Sequence, residues 1–226
     1  MSKKIIIAID GPSGAGKSTL SRLLSERLDY INIDTGAMYR TVALAVQRAG
    51  IDLDDCDALE TLCQDLDIHF KRNGQTETVW LGDEDVSALI RTPEMSLLTS
   101  RVSACPEVRA SMLTLQRQMG EEGGVVLEGR DIGSVVFPNA EMKFYLNASA
   151  QARGTRRYDE LCQKGVTVDL QQTIAEVVER DLADSSRENA PLVQADDAIV
   201  IDSTTMSIDE VLEFMLAKIE VYCPSC

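Results

Sequence analysis

The fold is indicated by one stretch near the amino terminus, which reads I-I-I-A-I-D-G-P-S-G-A-G-K-S from Ile5 to Ser18. Ile5 to Ile9 form a continuous and mostly β-branched run, which is typical of a parallel strand that is buried on both faces. Residues 11–18, called here the phosphate loop, match G-x-x-x-x-G-K-[ST] at every fixed position. Leucines then recur at helical spacing, at positions 20, 23, 24 and 28. Strand, Gly-rich loop and helix in this order predict the opening of an α/β fold.

The residue types of the phosphate loop suit a nucleoside triphosphate. Gly14 and Gly16 allow backbone conformations in which successive N–H groups point inward, and the start of the following helix adds its positive end. We expect Lys17 to contact the β- and γ-phosphates and the Ser18 hydroxyl to ligate Mg²⁺. The predicted ATP-binding residues are Gly11, Pro12, Ser13, Gly14, Ala15, Gly16, Lys17, Ser18 and Thr19. No N-K-x-D motif for guanine is found, so a kinase is favoured over a GTPase switch.

The pattern changes in the middle of the chain. Residues from about 57 to 120 contain a predicted hairpin around Asn73-Gly74 and two helices, about 93–104 and 106–120. Elsewhere, short apolar strands alternate with helices. We therefore predict a three-layer α/β core of the P-loop NTPase type with a parallel sheet, an inserted subdomain and a polar, helical flap, all in one domain. The predicted core is 1–56, 121–150 and 190–226, the insert about 57–120, and the flap about 151–189.

Composition and charge exclude several classes of protein. The net charge of −15 opposes binding to nucleic acid polymers and anionic membranes. The apolar run at the amino terminus is far too short to span a membrane, and its sequence is unlike a signal peptide, so we expect a cytoplasmic protein. We also expect a monomer. Arg outnumbers Lys about two to one, which fits either surface ion pairs or a hidden anion site. His69 is read as structural, and the terminal Cys223/Cys226 pair as weak support for a metal or redox site.

Cations follow three of the predicted strands. Lys17 lies in the phosphate loop, Arg40 in D-T-G-A-M-Y-R (34–40) and Arg130 in E-G-R-D-I-G (128–133). In open α/β sheets, ligands bind beyond the carboxyl ends of the strands. The sequence therefore predicts a second anion site, which a kinase would need for its acceptor.

These motifs, together with R-D-x-x-D-S-x-R (180–187) and V-I-D-S-T-T-M-S-I-D-E-V (200–211), resemble the bacterial cytidylate kinases. The resemblance extends from about Ile5 to Ile219. It implies transfer of the γ-phosphoryl group of ATP to CMP or dCMP with Mg²⁺, and it identifies the insert and the flap as a monophosphate-binding subdomain and a mobile lid.

The resemblance also implies roles for matching residues. The acceptor phosphate would be held by Arg40, Arg130 and Arg187. The cytosine edge would be read by Ser100, Arg109 and Asp131, and the pentose hydroxyls would be bound by Arg180 and Asp184. Thr35 and Tyr39 complete the implied CMP site. The lid helix would supply catalytic charge from among Arg153, Arg156 and Arg157, with Arg153 and Arg157 joining Lys17 and Arg130 in the implied catalytic set. Glu128 would hold Mg²⁺ through water.

Two alternatives stay open at this point. The first is a P-loop kinase for another small acceptor, such as UMP or a non-nucleotide; Asp131 opposes UMP, because uracil would put a carbonyl against the carboxylate. The second is a non-catalytic nucleotide-binding protein, which leaves four arginines without a role: Arg40, Arg130, Arg180 and Arg187.

Overall fold

The computed structural model of the chain describes residues 4–73, 76–187 and 189–223. The strands of this part are β1 (Ile6–Asp10), β2 (Ile31–Asp34), β3 (Ile68–Asn73), β4 (Thr76–Leu81), β5 (Glu84–Asp85), β6 (Val125–Gly129), β7 (Met142–Asn147) and β8 (Ile199–Asp202). The helices are α1 (Lys17–Leu28), α2 (Thr35–Ala49), α3 (Cys56–Gln64), α4 (Pro93–Val102), α5 (Pro106–Gly120), α6 (Ala150–Gln163), α7 (Leu170–Ser185) and α8 (Ile208–Tyr222). The chain divides into two compact units, one of Met1–Asn32 with Glu122–Cys226 and one of Ile33–Glu121.

The first unit is organised around a five-stranded sheet in the order β2-β6-β1-β7-β8. β1 pairs in parallel with both β6 and β7, and β7 pairs in parallel with β8. All five residues of β6 are buried, as the continuous apolar run of a strand covered on both faces predicts. The α/β fold with a parallel sheet, predicted from the sequence, is confirmed.

The core of the first unit lies where α1 and α8 pack on the sheet. Leu20 and Leu24 of α1 join Met215 of α8 and Phe144 of β7 in one buried cluster. A capping box starts α8: the Ser207 side chain accepts from the backbone N–H of Glu210, and the Glu210 carboxylate accepts from the backbone N–H of Ser207. This packing fixes the strand whose end leads into the phosphate loop.

The predicted lid consists of two helices that pack closely against each other. Ser149 caps α6 by accepting from the N–H of Ala152, as predicted. A Cβ added to Gly154 would lie 2.4 Å from Cγ1 of Ile174, so only glycine allows α6 to approach α7 this closely. The crossing of the two helices is therefore determined by the sequence of α6.

The second unit combines α2 to α5 with an antiparallel sheet, β3-β4-β5. The predicted hairpin is present in its strands, with Asn73 opposite Thr76, while its turn lies outside the described residues. The unit begins at Ile33, earlier than the predicted insert, because α2 packs against α3, α4 and α5. The assignment of a separate insert and lid stays a prediction.

Three further predictions from the sequence concern His69, the terminal cysteine pair and membrane insertion. His69 stacks on Trp80 with ring centroids 6.3 Å apart, which suits the structural reading of this histidine. Cys226 of the terminal pair lies outside the described residues. Within the described ranges, no helix combines the length and the apolar character that a membrane span requires.

Candidate functional site

Glycines determine the conformation of the phosphate loop. Gly11 has φ +146°, and a Cβ there would lie 2.0 Å from the carbonyl oxygen of Leu146, so any side chain would collide with backbone. Gly14 has φ +75° and Gly16 has φ +98°, both in the region that side chains disfavour. The sequence prediction for these two residues is confirmed. The glycines therefore determine the shape of the loop.

Lys17 is buried at the start of α1, with 5% of its surface exposed. Its Nζ donates to the carbonyl of Pro12 at 2.7 Å. Burial, together with the charge of Arg130, lowers the pKa of Lys17 to about 7, although the carboxylates of Glu128 and Asp10 oppose this shift. A buried cation with a lowered pKa is stabilised when an anion binds beside it, so the site favours phosphate.

The first turn of α1 carries no acidic side chain, and Gly16 provides no side-chain cap. The amides at this helix start suit an anion. Ser18 and Thr19 are exposed here, while Pro12 and Ala15 are buried within the loop. These positions agree with a site that grips phosphate mainly through backbone.

An arginine cluster, formed by Arg130 and Arg187 around Asp184, lies in the same unit. Asp184 is 1% exposed and accepts from Nε of Arg130 at 2.8 Å and from Nη2 of Arg187. Burial raises the pKa of Asp184, but the charges of Arg130 and Arg187 outweigh it, and the net pKa lies below the usual value. Two arginines that the sequence assigns to the acceptor phosphate are therefore held by one buried carboxylate.

Electrostatic interactions connect the arginine cluster to the phosphate loop. Arg130 and Arg180 both lower the pKa of Lys17, and Arg180 also lowers that of Asp184. Asp131 is buried and raises the pKa of Asp10, the residue that precedes Gly11. The structure thus brings Lys17 close to the predicted acceptor residues of the first unit.

The three lid arginines differ in their surroundings. Arg153 is 4% exposed; it donates to the carbonyls of Ala148 at 2.8 Å and Ser13 at 2.9 Å, and it forms a two-armed ion pair with Asp181. Arg156 donates to the carbonyl of Ser203 at 2.6 Å. Arg153 is therefore attached to the phosphate loop itself.

Arg157 is partly exposed, with 35% of its side chain accessible to solvent. It lies near the surface of α6 and pairs with Glu160 at 2.9 Å, three residues along the same helix. Exposed pairs of this kind contribute little, so Arg157 can exchange Glu160 for another anion at small cost.

The remaining predicted residues lie in the second unit. Arg40 pairs with Asp34 at 3.0 Å, and Asp34 also caps α2 by accepting from Ala37 at 2.8 Å. The guanidinium carbon of Arg109 lies 5.7 Å from the centre of the Tyr39 ring, and its Nη1 donates to a carbonyl of residue 103 at 3.2 Å. Thr35 begins α2, and position 100 lies in α4. Arg40 is thus held by a carboxylate, as Arg130 and Arg187 are.

Sequence reasoning missed the carboxylates that hold these cations. Asp34, which pairs with Arg40, and Asp181, which pairs with Arg153, lie within the motifs but were given no role. One signal was present: each lies within or beside a motif that carries an arginine or lysine, and a buried cation requires a counter-charge. What the sequence could not show is which acid meets which arginine.

Comparisons with known proteins agree with this geometry. Residues 7–221 match the family model for cytidylate kinase. A cytidylate kinase of Syntrophotalea carbinolica is 66% identical over 96% of this chain and 92% of its own length. A cytidylate kinase of Caldicellulosiruptor bescii is 49% identical over 95% of each chain, and one of Pasteurella multocida is 44% identical over 97% of each.

Solved structures with low sequence identity share the fold. A shikimate kinase from Bacteroides thetaiotaomicron has a TM-score of 0.50 and 12% identity over 96% of this chain and 98% of its own. A gluconokinase from Sinorhizobium meliloti has a TM-score of 0.50 and 14% identity over 99% of this chain and 96% of its own. These likenesses concern the fold alone, whereas the family model and the sequence relatives are specific. The family model and the sequence relatives, in agreement with the motifs of the phosphate loop and the arginine cluster, show that the chain belongs to the cytidylate kinase family.

Proposed function

We propose that this chain is a transferase that moves the γ-phosphoryl group of ATP to CMP or dCMP, giving CDP or dCDP and ADP. The observation that carries the proposal is the buried Lys17 of the phosphate loop beside Arg130, whose charge lowers the pKa of that lysine. Two anion-binding groups this close suit a donor and an acceptor phosphate. The relatives that match almost the full chain are named cytidylate kinases.

The reaction requires little covalent chemistry of the protein. An oxygen of the acceptor phosphate is already anionic near neutral pH, so it can attack the γ-phosphorus without a general base. Catalysis then depends on in-line positioning and on cations placed where charge develops. Lys17, which is buried, and Arg130, whose side chain is 18% exposed, are the cations that we propose for this role in the first unit.

Binding of the monophosphate is proposed to use arginines that are held by carboxylates in the structure. Arg40, Arg130 and Arg187 would take the acceptor phosphate in exchange for the carboxylates they now contact. Asp131 would accept from the cytosine amino group, together with Ser100 and Arg109. Arg180 and Asp184 would bind the pentose, and Thr35 and Tyr39 would line the site.

The residues around the phosphate loop fit a magnesium ion. Mg²⁺ prefers hard oxygen ligands and is usually held by one or two protein groups together with phosphates. The Ser18 hydroxyl and the Glu128 carboxylate, which is buried and interacts with Lys17, are oxygen donors of this kind. When bound, the ion would neutralise charge on the β- and γ-phosphates.

We propose different roles for two of the lid arginines, Arg153 and Arg157. Arg153 is buried and attached to the Ser13 carbonyl, so we assign it to holding the loop against α6. Arg157 can leave Glu160 at small cost, so we assign it to the transferring phosphoryl group when the lid closes. A monomer in the cytoplasm, as expected from the sequence, completes the proposal.

An ADP-release assay with a panel of acceptors tests the function. With ATP and Mg²⁺, we expect rapid ADP release with CMP and dCMP, slower release with UMP and little with AMP. Rapid turnover of UMP or AMP without turnover of CMP would favour a kinase for another acceptor. ATP binding without acceptor-dependent ADP release would favour a non-catalytic nucleotide-binding protein.

A further inference from the structure

Asp10 is a buried carboxylate to which the proposed reaction has so far given no role. It ends β1, directly before Gly11 of the phosphate loop, and is 5% exposed. Its Oδ1 accepts from the N–H of Ile132 at 2.8 Å, and its Oδ2 accepts from the N–H of Gly133 at 2.7 Å. Both oxygens are therefore used to hold the turn that follows Arg130 and Asp131.

Residues 129–133 are attached to β1 at two points, and Arg130 and Asp131 lie between them. Asp10 lies opposite Gly129 in the parallel pairing of β1 with β6. Beyond that pairing, the chain is next held to β1 by the carboxylate of Asp10 at Ile132 and Gly133. Arg130 and Asp131 lie between these fixed points, so their backbone is held at both ends to the strand that carries the phosphate loop.

We propose that Asp10 is a positioning residue for phosphoryl transfer, which fixes Arg130 and Asp131 relative to the phosphate loop. This inference rests on the proposed function. Asp10 itself acts through the turn and is not assigned a contact with substrate. Since a displacement of about 1 Å in a reacting group can cost about 10²-fold in rate, a clamp at this point has a direct effect on turnover.

The chemistry of the clamp explains why the residue is an aspartate. Two backbone donors require two acceptors, and an ionised carboxylate offers both in one rigid group. Asparagine has nearly the same shape but would set its NH₂ group against one of the N–H donors. Burial of the carboxylate is itself unfavourable and raises the pKa of Asp10 to about 6, although the hydrogen bonds from Gly133 and Ile132 oppose the rise. A charge kept there against this cost is suited to holding the turn firmly.

The test compares Asp10→Asn with a matched loss of stability elsewhere. For Asp10→Asn, we expect kcat with CMP to fall about 10²-fold. KM for ATP should stay near the wild-type value, because the glycines of the phosphate loop are unchanged. Met215→Ala, in the core of α8, should lower thermal stability but keep kcat per folded molecule. A folded Asp10→Asn protein with wild-type kcat, or one whose kcat falls only with its folded fraction, would overturn the proposal.

A second variant approaches the clamp from the turn, in case Asp10→Asn folds poorly. A Cβ at Gly133 would lie 3.3 Å from Oδ2 of Asp10 and 3.1 Å from Cδ of Lys143, so Gly133→Ala should push the turn away from the carboxylate. We expect the same selective fall in kcat, and full activity of this variant would count against the clamp.

Amide hydrogen exchange separates the clamp from the proposed function. In the unliganded wild-type protein, the amides of Ile132 and Gly133 should exchange slowly, and Asp10→Asn should speed their exchange while the amides of β6 stay protected. Unchanged exchange would refute the clamp even in an active kinase. If the exchange is faster in Asp10→Asn while the wild-type protein does not phosphorylate CMP, the clamp is upheld and the proposed function is refuted.

Discussion

The phosphate loop and the arginine cluster both serve anions in the proposed reaction, but they are constructed differently. The loop is shaped by its backbone, and its glycines adopt positive φ. The arginine cluster is shaped by side chains, and Asp184 holds Arg130 and Arg187 by ion pairs. The loop is therefore preorganised, whereas the cluster must exchange a carboxylate for a phosphate.

This difference indicates where each site gains its selectivity. A preorganised backbone cradle binds a triphosphate with little reorganisation, and it accepts the phosphate chain of many nucleotides. Arginines held by a carboxylate bind only an anion that can replace or share that partner. We therefore expect changes in the loop to affect rate most and changes in the arginine cluster to affect acceptor affinity.

The largest effect is expected from Lys17→Ala. The substitution removes the buried cation of the loop while leaving its glycines in place, so turnover should fall by about 10²- to 10³-fold. Steady-state kinetics with saturating ATP and CMP would measure it. Lys218→Ala, at the exposed surface of α8, is the matched control and should keep full turnover. Near-normal turnover of Lys17→Ala would remove the loop lysine from the mechanism.

Asp131→Ala tests the proposed contact of this carboxylate with the cytosine base of the acceptor. Loss of the proposed partner of the amino group should reduce kcat/KM for CMP by roughly 10- to 100-fold. The difference in kcat/KM between CMP and UMP should become smaller as a result. The ratio of kcat/KM for the two acceptors is the quantity to measure. An unchanged ratio would mean that Asp131 does not read the base.

Asp184→Asn tests the exchange of carboxylate for phosphate. The variant weakens charge-assisted hydrogen bonds to two arginines, which should lower the free energy of unfolding by about 2 kcal/mol. It also weakens the proposed contact of Asp184 with the pentose, which should raise KM for CMP by roughly tenfold. Inorganic phosphate should then stabilise the variant more than the wild type, because it supplies the missing counter-charge. Thermal unfolding with and without phosphate measures this. Equal stabilisation of both proteins would contradict the exchange.

The smallest effect expected is a change in bound protons. Because the pKa of Lys17 is lowered to about 7, the lysine is largely neutral at pH 8 in the unliganded protein. A bound triphosphate raises that pKa again, so ATP binding should take up protons between about pH 7 and pH 9. Calorimetry in two buffers with different ionisation enthalpies would measure this uptake. Lys17→Arg stays charged and should lose it, while equal uptake by both proteins would contradict the assignment.

Much of the fold was predictable because its signals are local. The β-branched run before Gly11 predicted the central strand, and the leucines at helical spacing after the phosphate loop predicted the helix that follows it; both are present. The bounds of the second unit were not predictable in this way. They depend on the packing of α2 against helices distant in sequence.

The candidate site was predictable in its cations but not in its counter-charges. Lys17 and Arg130 follow strands whose ends converge, so topology indicated their neighbourhood. The pairing of Arg153 with Asp181 joins positions on two helices, and no periodicity indicates which acid of α7 meets which arginine. Ion pairs of this kind depend on helix crossing, which the sequence determines only through contacts such as that of Gly154 with Ile174.

The most direct test of the central claim follows the phosphoryl group itself. Phosphorus NMR of a mixture of ATP, CMP, Mg²⁺ and the protein should show the ATP γ-signal falling while the signals of CDP and ADP rise together, one CDP for each ADP, with little inorganic phosphate. Loss of the γ-signal to inorganic phosphate, or unchanged spectra under conditions where ATP binds, would contradict the claim that the two anion sites act together on CMP.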